Sequence, residues 1–258
     1  MRKQLLERFL RYVKIDTQSA EGQADVPSTE KQLDLARLLR QEMEAMGLKD
    51  VTLDSHGYVM GTLPANTPQA LPRIGFIAHM DTSPDASGQG VKPILWEDYD
   101  GGELTLSPGN VLSPADFPEL TRYKGCTLVT SDGTTLLGAD DKAGVAEILT
   151  AIEYLQQHPE IRHGDIRIGF TPDEEIGRGP DFFDVKRFDA DWAYTLDGSA
   201  EGELEYENFN GAAASVTFYG LSVHPGYAKD KMVNSILRAA EFIQMLPPAE
   251  RPEHTEGY

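Results

Sequence analysis

Long apolar runs, paired cysteines and clusters of basic residues are all missing from this sequence of 258 residues. No run approaches the roughly 20 apolar residues that cross a bilayer. The amino terminus, MRKQLLERFLRYVKIDTQ, has the pattern of an amphipathic helix with charges throughout and not that of a signal peptide, so the sequence predicts a cytoplasmic protein. Cys126 is the single cysteine, which excludes an intramolecular disulfide and a thiolate zinc cluster. A metal in this chain has only His, Asp and Glu to bind it. Basic side chains number 23 against 42 acidic, a formal charge of −19, and no basic patch interrupts the excess. Such a field repels phosphate and argues against a nucleic-acid or anionic-membrane partner. Most of these acids are read as solvated surface.

What is present is globular composition, 40 % apolar and 25 % charged, in an α/β order. A polar loop, SAEGQADVP, leads to a helix in STEKQLDLARLLRQEMEAMG, where Thr29 and Gln32 have the spacing of a capping box and Gly47 stops the helix. VTLD and YVMGTL read as strands around the turn SHG, and PRIGFIAH as a third strand ending at His79. A long excursion from Thr82 to Thr135 returns through TLVTSDGTTLLG, whose SDGT predicts a hairpin turn. Then KAGVAEILTAIEYLQQH reads as a helix, DIRIGF as a strand, TPDEEIG as a loop and ADWAYTLDG as another strand. This alternation predicts an α/β sheet with helices on its faces. Near Gly211 the rhythm changes: AAASVTFYG reads as a long alternating strand and KMVNSILRAAEFIQML as a helix over a separate sheet. The expected boundary falls at about 208–212, giving domains 1–209 and 210–258.

Four places set acids or histidine where a strand meets a loop: His79 and Asp81, Asp140 and Asp141, Glu174 and Glu175, and Asp197. An Asp after a strand is commonly a turn residue or a helix cap. Ligands of open α/β sheets, however, bind beyond the carboxyl ends of the strands, so four such sites predict one shared cleft. If 76–81 is extended, His79 and Asp81 project to the same side, the geometry of a histidine held by a carboxylate. Carboxylates gathered in one cleft repel each other unless a cation neutralises them. Imidazole and carboxylate without thiolate suit zinc, or manganese or cobalt in its place, and disfavour magnesium and calcium. A carboxylate bridging two ions sets them about 3.5–4 Å apart, as in two-metal hydrolases, and one acid of the EE pair is then free to take a proton from the attacking water. Strand geometry does not choose between Asp140 and Asp141.

The motifs HMDTSPD, LLGADDKAG, FTPDEEIG and YTLDG, in this order and spacing, resemble those of the M20 metallopeptidases, and within them the tripeptide aminopeptidases. LPANTP, VLSP, ELEYENFN and VHPG extend the similarity from the first helix to Tyr258. The resemblance implies a mixed-sheet catalytic domain with helices on both faces and the start of a smaller α+β lid or dimerisation domain. It implies a metallo-aminopeptidase that removes the amino-terminal residue from tripeptides with a water activated by two zinc ions. Dipeptidase and N-acyl amino-acid deacylase activities, or an inactive metal-binding fragment, are the alternatives. Position by position, it implies that His79 and Asp197 bind one zinc, Asp140 bridges both and Glu175 binds the other. It implies that Asp81 orients His79, that Glu174 is the general base and later the acid, and that His224 of LSVHPG reaches the partner's active site in a homodimer. It also implies a returning half of the catalytic domain with a further histidine ligand, so the chain reads as an amino-terminal fragment. His254 lies too early, in lid-like sequence, to be that ligand.

Overall fold

The computed structural model describes residues 1–198, 200–207, 214–251 and 254. They fall into two units, Met1–Glu203 and Leu204–Tyr258. The boundary expected at 208–212 falls on residues outside the described set.

The first unit opens with α1 (Arg2–Tyr12) and α2 (Gln32–Ala45). Leu35, Leu39 and Met43 recur every fourth position of α2, and all are buried, so helical spacing alone turns one face inward. Gly47 ends this helix at φ +75°, as its position predicted. The capping box does not form. The Thr29 hydroxyl donates to the Gln18 carbonyl, and the Gln32 amide is engaged by Asp173 instead.

The strands β1 (Lys49–Leu53), β2 (Val59–Leu63) and β3 (Ile74–His79) follow the expected order. Asp54 closes the SHG turn by accepting from the amides of His56 and Tyr58. The excursion contributes β4 (Ile94–Trp96), which pairs with β7 (Leu128–Thr130), and the hairpin of β5 (Leu104–Ser107) and β6 (Asn110–Leu112). The hairpin turn is therefore SPGN, where Gly109 supplies φ +89°, and not SDGT. Asp132 accepts from the Thr134 amide to make a local turn, and the next element is a helix, not a second strand of a hairpin. After α3 (Ala139–Gln157) come β8 (Ile166–Thr171), the short α4 (Val185–Phe188) and β9 (Trp192–Thr195).

The main sheet has the order β1-β2-β8-β3-β9. β1, β2 and β8 are antiparallel in turn, while β3 lies parallel to both β8 and β9. This is the α/β sheet that the alternation predicted, mixed as the resemblance implied. One face carries Val59, Leu63, Ala78, Ile166, Ile168 and Phe170 against α1, α2 and α3. On the other face, Gly75 and Gly169 lie beneath the rings of Phe183 and Phe188, which brings α4 close to the strands.

A Cβ at Gly75 would sit 2.5 Å from the Phe188 ring and 2.8 Å from the Ala193 side chain. Gly75→Ala is therefore expected to destabilise the unit by about 1–3 kcal/mol in urea unfolding, and Phe188→Leu in the same chain to recover part of the loss. Additive losses in the double variant would show that the ring is not the obstacle.

In the second unit, Asn234 caps α5 (Ser235–Met245) by accepting from the amides of Ile236 and Leu237. That cap fixes the helix start later than the apolar pattern suggested. The strand expected from AAASVTFYG does not form over 214–220, and among the described residues of this unit the pairing is a single antiparallel bridge between Leu221 and Val233. Phe218 instead packs on Phe242 of α5, with ring centroids 5.6 Å apart. Alternating sequence becomes a strand only where a neighbour completes its ladder.

Candidate active site

Parallel pairing aligns the carboxyl ends of β3, β8 and β9, with His79 beside Thr171 and Ile77 beside Thr195. The chain leaves these ends through Asp81, the 173–178 loop and Asp197. The helix α3 meets them from the side, because Gly138 turns the backbone at φ +75° and the first residues of the helix, Asp140 and Asp141, depart from helical angles.

His79 is the centre of the cluster and is buried. Its Nε2 lies 2.8 Å from Asp140 Oδ1 and 3.8 Å from both Glu174 Oε2 and Asp197 Oδ2. Its Nδ1 faces Asp81, 3.1 Å from the backbone oxygen and 3.3 Å from the carboxylate. The Asp81 carboxylate does more than face the ring: its two oxygens accept from the amides of Glu174 and Glu175, at 3.0 and 3.1 Å. One fully buried acid thus joins the imidazole to the EE pair.

The two adjacent aspartates separate by environment. Asp141 is buried and both its oxygens are taken, by the amides of His79 and Gly144 at 3.1 and 3.0 Å. The Asp140 side chain is 70 % exposed and open toward Nε2. Two groups bring possible metal-binding atoms within 4.8 Å of one another among the described residues: His79 with Asp140 and Glu175, and His79 with Asp141 and Asp197. All four residues given metal roles by resemblance lie in these groups. His224 lies in the second unit, exposed, with Nδ1 accepting from the Gly226 amide at 3.1 Å.

The electrostatics record the crowding. Burial acts to lower the His79 pKa, but hydrogen bonds to Asp140 and Asp81 and the charges of Asp81 and Asp141 outweigh it and raise the pKa to about 11. Burial, with the charge of Asp197, raises Asp141 to about 8. Burial raises Asp197 to about 6 and also lifts Glu175, in both cases with the charge of Asp140 adding to it. The hydrogen bond from His79 holds Asp140 below the usual carboxylate range. One imidazole among several carboxylates, with no thiolate, is a donor set that fits a divalent cation of the zinc type.

Three contributors escaped the sequence. Asp173, at φ +55°, is fully buried and accepts from the Ser28 amide, the Ser28 hydroxyl and the Gln32 amide group. Lys142 is buried beside the cluster, where its ammonium donates to the Ile15 carbonyl at 2.7 Å and burial lowers its pKa to about 8. The Arg178 guanidinium donates to the carbonyls of Gln23 and Asp25. The only sequence signal for the first two was their place next to the paired acids, in PDEE and DDK.

Comparison with known proteins points to one class: residues 206–258 match the family model of the M20 peptidase dimerisation domain. Over nearly its whole length the chain is similar to the protein called peptidase T. The identity is 60 % with that of Geobacillus kaustophilus, over 100 % of this chain, and 64 % with that of Desulfitobacterium hafniense, over 98 %. The chain spans 63 % and 62 % of those relatives. Among solved structures, the aminopeptidase PepT of Bacillus cereus matches with a TM-score of 0.58 and 26 % identity, over 96 % of this chain and 57 % of that one. A tripeptidase of Staphylococcus aureus matches with a TM-score of 0.55 and 27 % identity, over 78 % and 44 %. Among the described residues, no helix is long and apolar enough to cross a membrane.

Proposed function

We propose that the whole protein is a cytoplasmic, homodimeric metallo-aminopeptidase that hydrolyses the amino-terminal residue from tripeptides with two zinc ions. The observation that carries the reading is convergence: beyond the parallel strands His79 meets Asp140 and Glu175 in one group and Asp141 and Asp197 in another, with Glu174 beside them. Similarity to peptidase T supplies the substrate class.

In this reading His79 and Asp197 would hold one ion, Glu175 the other, and Asp140 would serve both. Bound zinc supplies a Lewis acid and lowers the pKa of a water. Asp141 is left out because its oxygens already bind two amides, whereas the Asp140 carboxylate is open. Asp81 accepts the Nδ1 proton of His79 and so keeps Nε2 directed at the cleft. Glu174 has its amide held by Asp81 and its side chain half exposed, so its carboxylate can take a proton from the attacking water and return it to the departing amino group. His224 is assigned to the oxyanion in the partner's site.

The test is a substrate panel on the whole protein, zinc-loaded and chelator-stripped. Zinc-loaded protein is expected to release the first residue of a simple tripeptide, to leave dipeptides and N-acyl amino acids uncleaved, to lose activity with the metal and to regain it when zinc returns. Preferential turnover of dipeptides or acylated amino acids would move the protein to another M20 activity. Unchanged turnover after stripping would sink the metal reading.

A further inference from the structure

We propose that the segment 23–32, through Gln32 and Ser28, is the positioning template of the loop that carries Glu174 and Glu175; the inference rests on the roles proposed for those two acids. The loop has three tethers. Asp81 holds the amides of Glu174 and Glu175. At one end, Gln32 and Asp173 make a reciprocal pair: the Gln32 Nε2 donates to Asp173 Oδ1 at 2.6 Å, and the Asp173 amide donates to Gln32 Oε1 at 3.2 Å. Ser28 adds its amide and its hydroxyl to the same carboxylate, at 2.7 and 2.6 Å. At the other end, Arg178 donates to the carbonyls of Gln23 and Asp25 at 2.9 and 3.1 Å, and its amide returns to the Asp173 carbonyl at 2.9 Å.

Both outer tethers end on the same segment, and both lie away from the cluster itself. Gln32 and Asp173 are fully buried, so water does not replace their bonds. Asp173 precedes Glu174 directly and sits at φ +55°, a conformation that few residues with a side chain adopt unless surroundings hold them there. Freed from Gln32, residue 173 can relax, and the carboxylate of Glu174 swings with it. A reacting group misplaced by about 1 Å loses rate steeply, while substrate binding through other groups is untouched.

The experiment compares the wild-type whole protein with Gln32→Leu and with the double variant Gln32→Glu/Asp173→Asn, which exchanges charge and amide across the same pair. Two readouts are taken: amide hydrogen exchange, and steady-state kinetics per zinc-loaded molecule. In Gln32→Leu the amides of Glu174 and Glu175 are expected to exchange about tenfold faster or more, with those of β8 and α3 unchanged. Its kcat is expected to fall about tenfold or more, with KM within about twofold. The charge-swapped pair is expected to restore both in large part. A purely structural role would speed exchange across the core and leave kcat per folded molecule at the wild-type level, and either result overturns the inference. If Gln32→Leu does not fold, Ser28→Ala provides the same readouts, and wild-type exchange at 174 and 175 in that variant counts against it. An inactive wild-type protein would instead count against the proposed function, and the exchange data would still decide the positioning.

Discussion

Glu174→Gln in the whole protein is expected to lower kcat for tripeptide hydrolysis by about 10²–10⁴-fold while zinc content stays at the wild-type level. Glutamine keeps the volume and one acceptor oxygen but cannot take a proton. The backbone of residue 174 is held by the hydrogen bond its N–H donates to Asp81, which the substitution leaves in place, so the loop has no reason to move. The neighbouring acid does not substitute, because the role proposed for Glu175 is to bind metal and its carboxylate is then committed. Metal analysis and kcat on one preparation separate the two acids: Glu175→Gln should lose zinc, and Glu174→Gln should keep it. A Glu174→Gln protein within about threefold of wild-type kcat would remove Glu174 as the base, and zinc loss in that variant would exchange the roles of the pair.

The parts of this site that were readable in the sequence are those that follow from a fixed period or a strand end. His79 and Asp81 face the same way because residues two apart in extended chain do so, and the structure places them 3.3 Å apart. The strands from 49 to 79 and from 166 to 195 were legible for the same reason: short apolar runs bounded by turn residues. What was hidden depends on partners distant in sequence. Gln32 has the spacing to cap its own helix, yet its side-chain amide makes its short bond, 2.6 Å, to a buried carboxylate 141 positions away and reaches Thr29 Oγ1 only at 3.3 Å. SDGT and SPGN both carry turn chemistry, and only the pairing of β5 with β6 selects SPGN as the hairpin. The alternation in AAASVTFYG fixes a packing face, on which Phe218 meets α5, but alternation without a paired neighbour leaves 214–220 out of any strand.

The proposed preference for Asp140 over Asp141, which no periodicity could make, draws support from the packing at Gly144, and Gly144→Ala is expected to be the most damaging single methyl in the first unit. A Cβ there would lie 2.1 Å from the Leu196 carbonyl oxygen and 2.4 Å from Asp141 Oδ1. Neither obstacle is the far end of a flexible side chain. Leu196 is fixed by its N–H, which donates to the Ile77 carbonyl at 2.8 Å, and Asp141 by the amides of His79 and of Gly144 itself. Relief requires moving the strand end that carries Asp197, or breaking the buried carboxylate away from its donors. Overpacking and a lost charge-assisted hydrogen bond together cost about 3 kcal/mol or more. Because Asp197 and His79 border the same clash, zinc affinity should fall with stability, and added zinc should raise the melting temperature of the variant less than that of the wild type. A Gly144→Ala protein with wild-type melting temperature and zinc affinity would mean that α3 can draw back from β9 at no cost. The approach of helix to strand would then not be what turns Asp141 inward and leaves Asp140 facing the cleft.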